Sequence, residues 1–359
     1  MRPLSILLAF GFLLLLPHCQ ESVTSSVRAS VLLALAEDVA LTRFSEFEER
    51  SEELEIATAA LCAEPRDETL KAARDAWWAA KEPWKRTEVI KFGPVMEYPR
   101  RFGPKLDDWP VVESAVEKLI EGEGALDQEA FDLMGSGTRG LPVVEYLLWG
   151  QVDGTLDALT AVSRRCEVLE GAARDVHANA ERLKIDWRDT WILQLSEPAK
   201  APDGRYETMQ DVLNEWVNRM AFTVENIRVE KLGKPAGDKA DGKAQTDIIE
   251  SRYSGRSLME ARDALAGVYD VWSGGSEEGS LGISALLYDD ELISSIESHF
   301  ESAEKALSEI PETLEETILS DVSAVVPAQD ALRELQKVIQ VDLASKVGVT
   351  ISFNDSDGD

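Results

Sequence analysis

This chain has few of the side chains that usually hold metals. Of its 359 residues, three are cysteine and three are histidine. Beyond Cys19 only Cys62 and Cys166 remain, which excludes a zinc centre built from several cysteines. His177 and His299 fall in different halves, and no His-Glu-x-x-His helix occurs, so a zincin-type site is absent. Each reads as an ordinary surface or core histidine. Two thiols that are paired or buried make poor nucleophiles. Gly135-Ser136-Gly137 has neither a following Lys-Ser/Thr pair nor a preceding strand, so it is not a phosphate loop.

Positive charge is also scarce. Lys and Arg number 37 against 67 Asp and Glu, a net charge of −30. Without residues 1–18 one base, Arg2, is lost, and 36 against 67 leaves −31. Such a surface disfavours nucleic acid and anionic lipid as partners. It suits the gathering of cations, and equally suits solubility alone.

Long apolar runs are missing except at the start, where Leu4 to Leu16 follows Arg2. Residues 1–18 read as an export signal, too short for a permanent span. Leu16-Pro17-His18-Cys19 resembles a lipoprotein cleavage box, although His18 stands where a small residue is usual. Lipidation of Cys19, and so a membrane anchor, is expected. The expected location is the periplasm or the outer membrane. In such an oxidising compartment Cys62 and Cys166 can pair, and the long loop would contribute roughly 3–5 kcal/mol. The alternative is two buried free thiols.

What the chain has is helical periodicity. Residues 27–62 carry an apolar side from Val31 to Phe47 and an acidic side at Glu48 to Glu55, which predicts one long helix. Further helices are expected over 70–84, 111–120, 156–191, 206–232 and 257–272, with 282–288, 292–310 and 322–347 completing the chain. Four prolines between Pro94 and Pro110 mark an irregular connection. Pro198 to Gly204 reads as a linker, and 233–245 as a polar, glycine-rich loop. The fold class is therefore all-α: a bundle over 25–200 and a second over 205–359. Similar ordering of helices and glycine loops in the halves suggests internal duplication.

The segment Gly140-Leu141-Pro142-Val143-Val144-Glu145 resembles the Gly-x-His-x-x-Glu hallmark of the imelysin-like family, with Pro142 at the histidine position. Ala76-Trp77-Trp78, Pro83-Trp84, Phe92-Gly93-Pro94 and Asp107-Asp108-Trp109-Pro110 resemble its first-half pattern. Lys231-Leu232-Gly233-Lys234-Pro235 and the segment from Glu250 to Ser257 resemble its centre, and 348–359 its ending. The resemblance implies two helical bundles, a bacterial envelope location and a role in iron uptake. It also implies a metallopeptidase history, with the hallmark histidine and glutamate as zinc ligands. Proline cannot ligate a metal, so neither the peptidase assignment nor a histidine-based metal site carries over.

What remains is oxygen chemistry. Glu145 lies in an apolar helical run, where an ionised carboxylate needs a partner or a ligand. It can reach the free N–H groups of the helix start, or pair with Arg139, Arg86 or Arg101. It can also bind a metal ion with other carboxylates, and iron(III) suits such ligands. Asp107 and Asp108, before Trp109, can present two carboxylates or cap the helix near Val111. Glu250 is a further candidate ligand, and Ser254 or Ser257 a candidate cap. Asn354 to Asp359 resembles half a calcium loop.

The expected function is a non-enzymatic binding protein for a metal ion or chelated iron, working with envelope iron-transport proteins. Its ligand set is expected from Glu145, Arg139, Asp107, Asp108, Trp109 and Glu250, with Glu145 on the metal. One alternative is a divergent metallopeptidase. Another is a binder of anionic polysaccharide or chelated metal, using Lys81, Lys85, Arg86, Lys91, Arg100, Arg101 and Lys105 as a basic patch, with tryptophans to stack on a sugar or chelator.

Overall fold

The computed structural model describes residues 18–150, 154–201, 204–276, 279–311 and 313–352. The leader, up to residue 17, and the acidic tail Asn354–Asp359 lie outside these, as does the side chain of Cys19.

The apolar periodicity of the first segment produces α1 over 18–63, longer than expected and interrupted by a π-turn at Leu35–Leu41. Pro65 follows its end. Helix α2 is Asp67–Arg86, α3 Phe102–Leu106, α4 Glu113–Glu121, α5 Gln128–Asp132, α6 Leu141–Trp149 and α7 Thr155–Ala161. Helix α8 runs over 163–196 with a π-turn at Trp187–Trp191, and α9 over 209–233, ending in a π-turn at Ile227–Gly233. Helix α10 is Ser257–Ser273, α11 Asp290–Ser308 and α12 Leu314–Ser320. Helix α13 covers 326–347, with a π-turn at Ile339–Leu343. No strand occurs among the described residues. Gly282 to Tyr288, expected as the counterpart of the signature helix, holds only a short 3-10 turn at Ile283–Leu286. Ala285 to Tyr288 are not all buried, so the segment lacks the packed face that sustains α6.

In the first half α1 packs on both α2 and α8, and α6 packs on α8 and α2. In the second, α9 packs on α10 and α13, and α11 on α13. The halves meet chiefly where α10 lies against α2. Gly267 of α10 makes that approach possible: a Cβ there would collide with the carbonyl of Arg86. The buried apolar side chains form one contiguous core that includes both halves. Phe92, in the proline-rich connection, sits edge-on to Trp216 of α9 at 5.2 Å and beside Trp187 at 5.8 Å. Residues 350–352 also lie against the body, where Asn218 of α9 donates to the carbonyl of Thr350 and accepts from the amide of Ser352. Cys62 and Cys166 are disulfide-bonded with Cα atoms 5.5 Å apart, joining α1 to α8.

Candidate binding cleft and its ion network

Helix α2 turns Trp77, Lys81, Trp84 and Lys85 to one buried face, because these residues recur at three- and four-residue intervals. Two lysines on an interior face need counter-charges. Helix α10 carries a complementary stripe, Glu260, Asp263 and Asp270, at helical spacing around Gly267. Lys81 meets Asp107 at 3.0 Å and Glu260 at 3.2 Å. Lys85 meets Asp107 at 2.7 Å, Glu88 at 3.1 Å and Glu260 at 3.5 Å, and also bonds Glu250. Lys231 of α9 meets Glu88 at 2.9 Å and closes the network on Glu250. The indole N–H of Trp84 donates to Asp107 at 2.9 Å. Asp270 ties the two halves again through Arg43 at 3.0 Å and Arg86 at 3.2 Å.

Three ammonium groups thus face four carboxylates, all with side chains buried or nearly so. Burial disfavours charge on such groups, but for Glu250, Glu88 and Lys85 the mutual charges win. Burial raises the Glu250 carboxyl, yet Lys231, Lys85 and Lys81 hold it well below its ordinary value. Glu88, also against burial, is drawn to about 2 by Lys231, Lys91 and Lys85. Burial lowers Lys85, but Asp107, Glu250 and Glu88 keep it well above its ordinary value.

Glu145 is set differently. It is buried on α6, and its carboxylate accepts two hydrogen bonds from one residue, the amide of Ser254 at 2.9 Å and its hydroxyl at 2.7 Å. No cation forms an ion pair with it among the described residues. Burial therefore dominates, and despite Ser254 and more distant Lys81 the carboxyl is pushed up to about 7. Gly140, which opens α6, has φ +80°, and a Cβ there would stand 2.5 Å from the carbonyl oxygen of Leu106. Pro142 falls in the first turn, where a missing N–H costs no helical bond.

Residues 250–254 form a strap from the second half across the first. Glu250 reaches Lys85, Arg252 pairs with Glu113 at 2.7 Å, the Tyr253 ring meets Tyr146 edge-on at 5.6 Å, and Ser254 holds Glu145. Within it Ser251 has φ +49°, a strained conformation for a non-glycine residue, and its hydroxyl bonds buried Glu260.

A cleft opens beside the network. Two adjoining cavities of about 170 and 240 Å3 share Glu88, Lys91, Asp107, Asp108 and Glu250 as walls, and Trp109 and Glu230 border the second. The structure thus brings together Asp107, Asp108, Trp109 and Glu250 from the expected set. Arg139 does not join them: it is buried in a two-point contact with Asp175, at 2.5 and 2.9 Å. Nor does Glu145 bond the free N–H groups of its helix, Arg139, Arg86 or Arg101. Its partner comes from 109 residues further along the chain, beyond the reach of local spacing.

The helix-capping alternatives also give way. Helix α4 starts only at Glu113, Asp107 is taken by lysines, and Asp108 accepts from the Ser136 hydroxyl. Arg256, not Ser254 or Ser257, occupies the cap position of α10. The expected basic patch is dismantled because Lys81 and Lys85 point inward and Arg86 is engaged by Asp270. His177 bonds Glu55 and His299 the Ser295 carbonyl, well apart from the cleft in sequence and partners. Among the described residues no group of three or more His, Cys, Asp or Glu side chains is arranged to hold a metal ion. Glu88, Glu260 and Lys231 were not singled out from sequence. The signal for Glu260 is the pairing of an inward lysine stripe on α2 with an acidic stripe on α10, whereas Glu88 and Lys231, which lie outside both helices, gave no such signal.

An all-helical chain of two packed halves, with a glycine-opened helix presenting a glutamate at their junction, defines a recognisable class. The sequence profile of the imelysin family matches residues 40–339, and the chain belongs to that family. It is 24% identical over 286 residues to Iron-regulated protein A of Synechococcus elongatus, covering 77% of this chain and 74% of that protein. A crystal structure of an iron-regulated protein A precursor from Parabacteroides distasonis superposes with a TM-score of 0.76 at 20% identity, over 90% of this chain and 95% of the other. An imelysin-like protein from Psychrobacter arcticum gives 0.76 at 18% identity, over 92% and 98%. At these identities the structures establish a shared fold. No helix among the described residues is long and apolar enough to cross a membrane.

Proposed function

We propose that this chain is an exported, non-enzymatic binding protein of envelope iron acquisition. Its cargo is a small hydrated or chelated ferric complex seated in the junction cleft. The observation that carries this reading is the ion network itself. Asp107, Glu88 and Glu250 each already have a lysine ammonium within ion-pair distance, so a naked cation that used them would have to displace one, and Asp108 alone, held by the Ser136 hydroxyl, is too few ligands for a bare ion. A complex that keeps its own ligands does not. Its coordinated waters are strong donors. Asp108, which accepts from the Ser136 hydroxyl, lines the wall of the cleft and offers them an acceptor carboxylate. Half-exposed Lys91 attracts the anionic side of a chelator.

Export is supported by the apolar leader, by the disulfide and by the description of one structural relative as a precursor. Anchoring through Cys19 is part of the same proposal. The names of two relatives link them to iron regulation. Glu145, expected from sequence as a direct ligand, takes here the role of holding the strap that carries Glu250. Peptide cleavage is not part of the proposal, because Pro142 removes the hallmark side chain that would bind zinc.

The test is calorimetric titration with ferric citrate, zinc(II) and iron(II). Saturable ferric-citrate binding, weakened about tenfold in Asp108→Asn and in Lys91→Ala, is expected, the equivalent of about 1.4 kcal/mol. Equal binding by both variants, or chelator-sensitive hydrolysis of a peptide library, sinks the reading.

A further inference from the structure

A separate cavity of about 530 Å3 lies along α2, and nothing in the iron reading uses it. Its walls are Trp78 and Trp149, with Asp67, Lys71, Arg74 and Asp75 around them. Of the nine tryptophans, Trp78 is the most exposed, while most of the others are core. Core packing therefore explains most of the indoles but not this one.

Both rings are held in place. The Arg74 guanidinium lies 5.2 Å from the Trp149 ring and is itself fixed by the Leu148 carbonyl, at 2.7 and 3.0 Å. The Arg256 guanidinium lies 5.4 Å from the Trp78 ring and is fixed by Asp263 at 2.7 Å. Trp77 packs edge-on to Trp149 at 5.2 Å. Two indoles braced in this way form a platform that need not reorganise on binding, which lowers the cost of association.

The lining selects a ligand class. Two acids, Asp67 and Asp75, balance two bases, Lys71 and Arg74, so the pocket has no charge preference. That argues against a polyanion and against a bare cation. Flat apolar walls with a ring of donors and acceptors match a ligand with an apolar face and a polar rim. A pyranose ring is such a ligand: its C–H face rests on an indole, whose ring electrons attract the slightly positive hydrogens. Its hydroxyls then bond the charged side chains, whose full charges make strong hydrogen bonds to neutral partners.

We propose that this cavity is a binding site for a neutral saccharide, stacked on Trp78 and Trp149 and hydrogen-bonded by Asp67, Lys71, Arg74 and Asp75. It is distinct from the junction cleft and does not depend on what that cleft carries. In an exported protein such a site docks the molecule on envelope glycan.

The full chain is titrated with cellotetraose, maltotetraose and chitotetraose, beside tetragalacturonate as a polyanion and indole-3-acetamide as a neutral aromatic. One neutral tetrasaccharide saturates a single site. Trp78→Ala weakens it about tenfold, equivalent to about 1.4 kcal/mol, with an unchanged melting temperature and unchanged ferric-citrate binding. Trp149→Phe, which keeps a flat ring and the packing on Trp77, retains part of the affinity. Three results overturn the proposal: no saturation by any neutral tetrasaccharide up to roughly 10 mM; binding that Trp78→Ala and Arg74→Gln both leave intact; or preference for the polyanion or the aromatic probe.

Discussion

Glu145 and Glu250 are both glutamates buried near the junction of the two halves, yet they have opposite settings. Glu250 sits between lysines and is held charged. Glu145 has only the dipoles of Ser254 and is pushed towards neutrality near pH 7. Burial raises both carboxyls. What differs most is whether the partner brings a full opposite charge, and that decides which carboxylate stays ionised.

The comparison breaks most severely at Lys85. Replacing it with methionine leaves Asp107, Glu88 and Glu250 short of a counter-charge inside the protein. A loss of about 3–5 kcal/mol is expected in chemical denaturation. Adding Glu250→Gln should recover part of that loss. If Lys85→Met costs nothing, the network is not ionised as described.

The two regions should also respond oppositely to pH. Glu145, raised from an ordinary 4.5 to about 7, keeps its proton in the folded chain where the unfolded chain has lost it. Its contribution to stability is full below pH 4.5 and declines as pH rises to about 7, by up to about 3 kcal/mol. Glu88, drawn to about 2, works the other way: its contribution is present above pH 4.5 and lost as acid approaches pH 2. The contribution of Asp263, raised by burial to about 6, declines in the same direction up to about pH 6. In Glu145→Gln the decline between about pH 6 and 7 disappears, while the shallower Asp263 decline and the acid limb remain. A variant that keeps the slope above about pH 6 would place that titration on another group.

Ser254→Ala gives the smallest effect, about 1–2 kcal/mol, since one of two hydrogen bonds to Glu145 is lost and the amide remains. With less support for its charge, Glu145 should titrate higher, a shift readable by carbon-13 NMR of the labelled carboxyl. An unmoved or lower titration removes the hydroxyl from the account.

Much of the fold was legible because it follows from periodicity. Leu, Val and Phe at helical spacing placed most of the long helices, and Pro65 and the run from Pro94 to Pro110 marked where they stop. The acids of the cleft were partly legible, since Asp107, Asp108 and Glu250 stand in polar, turn-forming segments. Their lysine partners were hidden by a plausible misreading. Lys81, Lys85 and Lys91 crowd together in sequence and look like a surface patch, until α2 turns the first two inward. Glu145 stood out as a charge in an apolar run, but its partner comes from the opposite half, and no local rule pairs residues that far apart. The failure at Gly282 to Tyr288 has a plainer origin: a short apolar string without a helical face to bury stays a turn.

The strap from Glu250 to Ser254 touches a different cavity at each end, the junction cleft through Glu250 and the tryptophan pocket through Ser254. The two cavities are thus joined by one five-residue segment. If occupancy of the tryptophan pocket changes affinity in the cleft, cargo in the cleft must change affinity in the pocket by the same factor.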